Sequence, residues 1–173
     1  MAPRAAARLE TLGFDKVHEY RAGKLDWLAA GLPTEGENNN CPRAGDASRK
    51  DVTVSRLTDR LGDVRDRVRA AGLELSVVVD AEGVVLGMLW PKQLELDPNL
   101  TAEQAMRPGP STYRPYVPIK EMADHLVEKG HESVPITTSD GKLVGVLYKS
   151  DAVRLAASAT ACVRKMITSS SAS

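Results

Sequence analysis

The stretch Gly141-Lys-Leu-Val-Gly-Val-Leu-Tyr-Lys-Ser-Asp151 decides the fold. A glycine turn precedes a short apolar run, and such a run predicts a β-strand that is buried on both faces. Ser150 and Asp151 follow the run directly, where their side-chain oxygens can accept hydrogen bonds from the free N–H groups of a new helix. The stretch therefore predicts a strand that leads straight into a helix, and we call Gly145–Asp151 the second junction.

The same pattern occurs 58 residues earlier, without a gap (145 − 87 = 58). Repetition at a fixed offset indicates two copies of one structural unit. We therefore call Gly87–Gln93 the first junction. The matching positions are Gly72 and Gly130, Glu74 and Glu132, Gly83 and Gly141, Gly87 and Gly145, and Leu89 and Leu147.

Each copy predicts a helix, two strands and a closing helix. Apolar residues at helical spacing mark the first helix, and a glycine ends it. An acidic residue followed by glycine joins the two strands as a hairpin. Thr101-Ala-Glu-Gln104 has the pattern of a capping box. The helix positions are Leu61, Val64, Val68 and Ala71, then Ile119, Met122, Leu126 and Val127; the strands cover 75–80, 84–90, 133–137 and 142–148, and the last helix covers 151–165.

The composition narrows the range of partners. The 173 residues are 42% hydrophobic and carry a formal net charge of zero, so nothing draws the chain generally toward nucleic acid or a membrane surface. Cys41 and Cys162 give neither a disulfide framework nor metal-ligand spacing. The first residues lack the apolar core of a signal peptide, and no apolar run reaches membrane-spanning length. A cytoplasmic protein with no nucleic acid, membrane or metal partner is expected.

The repeat resembles a tandem pair of CBS domains, the module named after cystathionine β-synthase. The resemblance covers about residues 50–157 and is closest in AMRPGPSTYRPYVPIKEMADHLVEKGHESVPITTSDGKLVGVLYKSDAV of the second copy. It implies an α+β, sandwich-like fold in which the two repeats pack face to face. It also implies a regulatory module that binds AMP, ADP, ATP or S-adenosylmethionine between its repeats, requires no cofactor, forms a homodimer through its helices and signals to an unidentified protein partner.

The resemblance also implies the site residues. Asp151 would accept hydrogen bonds from the ribose hydroxyls, because an ionised carboxylate is acceptor-only. Ser150 and the helix start would hold phosphate. In the first junction, Gln93 stands where Asp151 stands in the second, so a degenerate first cleft is expected. The proposed ligand-binding residues are Thr112, Pro135, Ile136, Tyr148, Ser150 and Asp151, and those of the degenerate cleft are Val78, Trp90 and Gln93.

Two readings of Trp90 and Tyr148 remain open at this point. Each ring can stack on a base, or it can fill its cleft and close it. The second reading gives an alternative function, a scaffold or interaction module that binds no ligand.

The N-terminal segment resembles a different family. AAARLETLGFDKVHEYRAGKLDWLAAGLPTEG, about residues 4–36, is similar to the C-terminal tail of a rhodanese-like domain. In that family the catalytic cysteine precedes the first helix, whereas Cys41 follows this segment and is expected to be an exposed linker residue. A sulfurtransferase is therefore the least favoured function, and no catalytic residue is assigned. The predicted domains are a remnant at 1–36, a linker at 37–50, repeats at 51–106 and 107–166, and a disordered tail at 167–173.

Overall fold

The computed structural model describes residues 2–18, 27, 32 and 42–158. Its helices and strands follow one another in mixed order, as the predicted α+β class requires. They are α1 (Ala2–Thr11), α2 (Ala44–Ala47), β1 (Thr53–Ser55), α3 (Leu61–Ala70), β2 (Ser76–Val79), β3 (Val85–Leu89), α4 (Pro91–Leu94), α5 (Ala102–Ala105), β4 (Arg107–Pro108), α6 (Ile119–Lys129), β5 (Ser133–Thr137), β6 (Leu143–Tyr148) and α7, whose described part covers 149–158.

The strands form two sheets with the same underlying layout. The first sheet has the order β1-β2-β3-β4, with β1 parallel to β2 and the other pairs antiparallel. The second sheet pairs β5 with β6. Isolated bridges extend it on both sides, because Tyr113 lies parallel to Ile136 and Arg49 lies antiparallel to Val146. Both repeats therefore hold four chain segments side by side.

Helices α2 and α5 are equivalent by the repeat offset (102 − 44 = 58). Helix α2 precedes α3 of the first repeat but packs on the second, and α5 precedes α6 of the second repeat but packs on the first. Before α2, Arg43 forms a β-bridge with Pro118, and the N–H of Ala44 donates to the carbonyl of Val117 at 2.8 Å. Before α5, Thr101 forms the equivalent bridge with Arg60, and the N–H of Ala102 donates to the carbonyl of Asp59 at 2.8 Å. The two repeats are therefore joined by an exchange of chain segments.

This exchange bears on the predicted linker at 37–50. Its described part, residues 42–50, contains α2 and the bridge from Arg49, and Ala44 and Ser48 are buried. That part of the chain is an integrated piece of the second repeat. The remaining domain boundaries stay predictions.

Three groups of apolar side chains form the core. Helix α3 packs on one face of the first sheet, and α6 packs on one face of the second. The other faces of the two sheets meet in a third group. The strands β2, β3, β5 and β6 are thus mostly buried on both sides, which explains their continuous apolar runs and confirms the predicted face-to-face packing. The third group contains Leu75, Val77, Val79, Met88 and Val146.

Some local predictions differ from the structure. Val127 is 60% exposed, because it falls on the outer side of α6 while Leu126 faces the core. Ala71 is also exposed, at the end of α3. Apolar and polar residues alternate from Phe14, a pattern that predicts a short strand, but residues 14–18 form none. About half of the rhodanese-like segment, both cysteines and the predicted tail lie outside the described residues. Within the described ranges, no helix is both long enough and apolar enough to cross a membrane.

Candidate functional site

A glycine in the second junction lets the chain segment before β1 lie directly on β6. A Cβ added to Gly145 would meet the carbonyl oxygen of Arg49 at 2.5 Å and the hydroxyl of Ser48 at 2.9 Å. Any larger residue would push this segment away from the strand. The N–H of Arg49 donates to the carbonyl of Val146 at 2.8 Å and its carbonyl accepts from the N–H of Val146 at 3.0 Å. Arg49 is therefore held beside the second junction.

The side chain of Arg49 spans the second junction. Its guanidinium carbon lies 4.6 Å from the centre of the Tyr148 ring. Its Nε donates to Oδ2 of Asp151 at 2.9 Å, while Nη2 of Arg154 donates to Oδ1 at 3.0 Å. Both oxygens of the Asp151 carboxylate thus bind a guanidinium, and this side chain is 14% exposed.

These contacts shift the pKa values of the group. The hydrogen bond from Arg49 holds the pKa of Asp151 below its usual value, with a smaller contribution from Arg154, although burial opposes the shift. The same bond raises the pKa of Arg49. Burial raises the pKa of Tyr148. At neutral pH the carboxylate is therefore ionised, and the tyrosine is neutral.

An open cleft lies beside the first junction. It has a volume of about 310 Å³ and is lined by Trp90, the segment 107–111 and the segment 130–135. We call it the Trp90 cleft. Its wall carries the charged Arg107, the ring of His131 and the apolar Pro135. The indole N–H of Trp90 donates to the hydroxyl of Ser133 at 3.4 Å, which fixes the ring against the second repeat.

A second cleft lies where the two junctions meet. It has a volume of about 740 Å³, and we call it the central cleft. Trp90, Glu132 and Ser133 line both clefts, so the two are neighbours. Equivalent residues of the two repeats face this space, as the repeat symmetry requires. The central cleft is lined by Glu74, Leu75, Trp90, Pro91, Val127, Glu132, Ser133, Tyr148, Lys149, Ser150, Val153 and Arg154.

The structure divides the predicted site residues among several places. Tyr148 and Ser150 line the central cleft, and Asp151 adjoins them with its carboxylate bound to arginines. Pro135 lines the Trp90 cleft instead. The base therefore cannot be assigned to one pocket formed by all of these side chains.

The other predicted residues line neither cleft. Ile136 and Val78 are fully buried in the cores under α6 and α3, which excludes both from a ligand-facing wall. Thr112 is exposed and Gln93 is half-buried at α4.

Sequence reasoning missed Arg107 and His131 as cleft residues, and Arg49 as the partner of Tyr148 and Asp151. The signal for the two arginines was present, because they occupy the same position of the two repeats (107 − 49 = 58). What the sequence lacked was the exchange of segments that carries each arginine to the opposite junction.

Known proteins share this fold. A family model described as the CBS domain matches residues 102–158. Solved structures of CBS domain pairs superpose on the described chain across both repeats. The chain has the fold of a CBS domain pair. A search of curated proteins found no match.

Three solved structures show the extent of the similarity. The cytosolic domain of the Mg²⁺ channel MgtE in complex with ATP has a TM-score of 0.60 and 21% identity; the match covers 66% of this chain and 48% of that one. CBSX2 of Arabidopsis thaliana in complex with AMP has a TM-score of 0.60 and 20% identity, over 68% and 97%. The CBS domain pair of protein MJ0100, in complex with 5′-methylthioadenosine and S-adenosylmethionine, has a TM-score of 0.59 and 16% identity, over 66% and 95%. The chain thus spans about half the length of the MgtE chain but nearly all of the other two.

Proposed function

We propose that this chain is a regulatory, non-enzymatic module that binds an adenine nucleotide or another adenosyl ligand between its two CBS repeats. The observation that carries the proposal is the Trp90 cleft, which is open and lined by both repeats. Its volume of about 310 Å³ lies in the range of small-molecule sites. Neighbours of the same fold were solved with ATP, AMP, 5′-methylthioadenosine and S-adenosylmethionine.

The chemistry of the Trp90 cleft suits an adenosyl group. The indole of Trp90 offers a flat apolar surface on which a purine stacks, and Pro135 adds an apolar wall. Arg107 lies at the same wall, and its guanidinium makes no hydrogen bond or ion pair with the described residues. A free guanidinium binds phosphate oxygens well, because its N–H groups match two oxygens at once.

Occupancy would be reported by a change in the relation between the repeats. Trp90 directly follows β3 of the first repeat, whereas His131 and Ser133 belong to the second. A ligand held between them favours the arrangement in which both walls contact it, and a population shift needs only such a difference in affinity. We place this module in the cytoplasm as a homodimer that associates through its helices and acts on a protein partner.

Calorimetry tests the proposal. AMP, ADP, ATP and S-adenosylmethionine are titrated into the wild type, Arg107→Ala and the control Arg69→Ala, which removes an exposed arginine on α3, away from both clefts. We expect Arg107→Ala to weaken binding of the nucleotides about tenfold, as the loss of one charge-assisted hydrogen bond predicts, and Arg69→Ala to bind as the wild type does. Absence of heat with all four ligands would refute the proposal.

The second candidate is a scaffold without ligand, and one observation favours it. Arg49 contacts both Tyr148 and Asp151, so these two side chains of the second junction already have a partner. The scaffold function predicts an unchanged melting temperature with every adenosyl ligand. Stabilisation by any of the four at millimolar concentration would decide against it, because a ligand that binds only the folded state raises its stability.

A further inference from the structure

Arg49 and Arg107 occupy the same position of the two repeats. Arg49 lies opposite Val146 and Arg107 lies opposite Met88, and both pairs differ by the repeat offset (107 − 49 = 146 − 88 = 58). Their backbones thus meet the two junctions in the same register. A difference between their side chains must come from the residues that they face.

The two guanidinium groups are held very differently. Arg49 binds the carboxylate of Asp151 and lies over the ring of Tyr148. Arg107 is exposed, lines the Trp90 cleft and has no side-chain hydrogen bond or ion pair to a described residue. One arginine spans its junction, and the other leaves its junction open.

The last residue of each junction accounts for this difference. The position of Asp151 is taken by Gln93 in the first repeat (151 − 93 = 58). A carboxylate binds a guanidinium through a charge-assisted hydrogen bond, whereas a neutral amide offers a much weaker one. Both junctions keep an aromatic ring, Tyr148 or Trp90, so the aromatic residue does not explain the contrast.

We propose that Arg49 is a built-in occupant of the second junction, which competes with ligand for Tyr148 and Asp151 and makes the Trp90 cleft the tighter adenosyl site of the chain. The planar guanidinium on Tyr148 takes the place of a stacked base. Its N–H bond to Asp151 takes the place of a sugar hydroxyl. The inference rests on the proposed function, and it makes the first junction, with Gln93, the one that binds more tightly.

The ion pair between Arg49 and Asp151 can open. The Arg49 side chain is 46% exposed, so it can leave Asp151 without disturbing the core. A ligand for the second junction would have to displace it, and its effective affinity falls by the fraction of time that Arg49 occupies the site. Removing the side chain removes that competition.

Calorimetric titration of AMP and S-adenosylmethionine measures the affinity of each site. We expect one tight site per chain in the wild type, a rise of about two- to fivefold in the affinity of the second junction in Arg49→Ala, and loss of that rise in the double variant Arg49→Ala/Asp151→Asn. The matched control is Arg67→Ala, which removes an ion pair of similar exposure with Asp59, and we expect it to bind as the wild type does. The converse variant, Gln93→Asp, supplies Arg107 with a carboxylate, and we expect it to lower affinity at the Trp90 cleft about two- to fivefold.

Two sites of equal affinity in the wild type would overturn the inference, and so would an unchanged affinity of the second junction in Arg49→Ala. A ligand-free measurement separates this failure from failure of the proposed function. A double-mutant cycle of Arg49→Ala and Asp151→Asn, followed by urea unfolding, is expected to show a coupling of about two- to fivefold in the unfolding constant. No coupling refutes the Arg49 contact whatever the ligands do. Coupling without any ligand binding in either protein refutes the adenosyl function and leaves Arg49 as a structural clasp.

Discussion

Val84 and Lys142 form a β-bridge with each other, and they are the same position of the two repeats (142 − 84 = 58). The hydrogen bonds around them are equivalent as well. The N–H of Val85 donates to the carbonyl of Gly141, and the N–H of Leu143 donates to the carbonyl of Gly83, both at 3.0 Å. A pseudo-two-fold axis therefore passes between the hairpin turns, and each repeat serves as an internal control for the other.

Gly145→Ala tests the close approach of the segment before β1. The new Cβ would meet the Arg49 carbonyl at 2.5 Å, and backbone cannot move aside easily. We expect a loss of about 1–3 kcal/mol in the free energy of unfolding, the usual cost of overpacking. The matched variant is Gly87→Ala, where the closest contact is the flexible Met106 side chain and the backbone oxygen lies at 3.0 Å. Urea unfolding should show a smaller loss for Gly87→Ala, and equal losses would contradict the geometry.

Leu126→Ala and Val127→Ala test which side of α6 faces the core. Leu126 is fully buried, and its truncation leaves a cavity that we expect to cost about 2–5 kcal/mol. Val127 is 60% exposed, so its truncation should change the free energy of unfolding by no more than about 0.5 kcal/mol. Thermal or urea unfolding of the two neighbours decides the matter. A large loss for Val127→Ala would show that this face is covered in solution.

Asp151→Asn tests the ion pairs at the second junction through their pH dependence. The pKa of Asp151 is lowered in the folded state, so the carboxylate stabilises the fold above its unfolded pKa, near 3.8, and this contribution is lost as the pH falls through the lower folded value. The pair with Arg49 is partly exposed, so we expect the wild type to exceed the variant by only about 0.5–1 kcal/mol at pH 7.

Urea unfolding at pH 7, pH 5 and pH 3 measures this difference. We expect it to hold between the first two values and to shrink toward the third. Asp66→Asn on α3 is the control for the loss of a carboxylate, because Asp66 makes no hydrogen bond or ion pair with the described residues. A difference that stays constant down to pH 3 would rule out the ion pairs as its source.

Thr101→Ala tests the capping box of α5. The Thr101 hydroxyl accepts from the N–H of Gln104 at 3.4 Å, and the Gln104 side chain accepts from the N–H of Thr101 at 3.1 Å. We expect a loss of about 1 kcal/mol, because a helix N–H loses its partner. The exposed neighbour Glu103 provides the control, Glu103→Ala. The prediction fails if urea unfolding finds the two variants equally stable.

The repeat made much of the fold predictable. The helices that cover Leu61, Val64, Val68, Ile119, Met122 and Leu126 were confirmed, since periodic apolar residues must be buried together. The capping box at Thr101 was confirmed because such caps are local in sequence. The short segments at β1 and β4 were not anticipated, since a strand of two or three residues carries no periodicity.

The site was less predictable than the fold. Sequence comparison ranked Asp151 above Gln93 as a ligand contact, because a carboxylate suits ribose hydroxyls. The structure gives that carboxylate two arginine partners, one of which comes from 102 residues earlier in the chain. Asp151 as a ligand contact stays a prediction, and Arg49 is the group that competes for its carboxylate. The sequence alone does not show this competition, because the two residues lie 102 positions apart in the chain.

The sequence by itself determined the two-fold repeat, the α+β class and the position of each junction, because periodicity, turn glycines and caps act over a few residues. The tertiary structure alone decided which segment meets which junction. Exchange of α2 and α5 between repeats places Arg49 against Asp151 and Arg107 beside Trp90. Identical arginines then behave differently, because an ionised carboxylate holds a guanidinium and an amide does not.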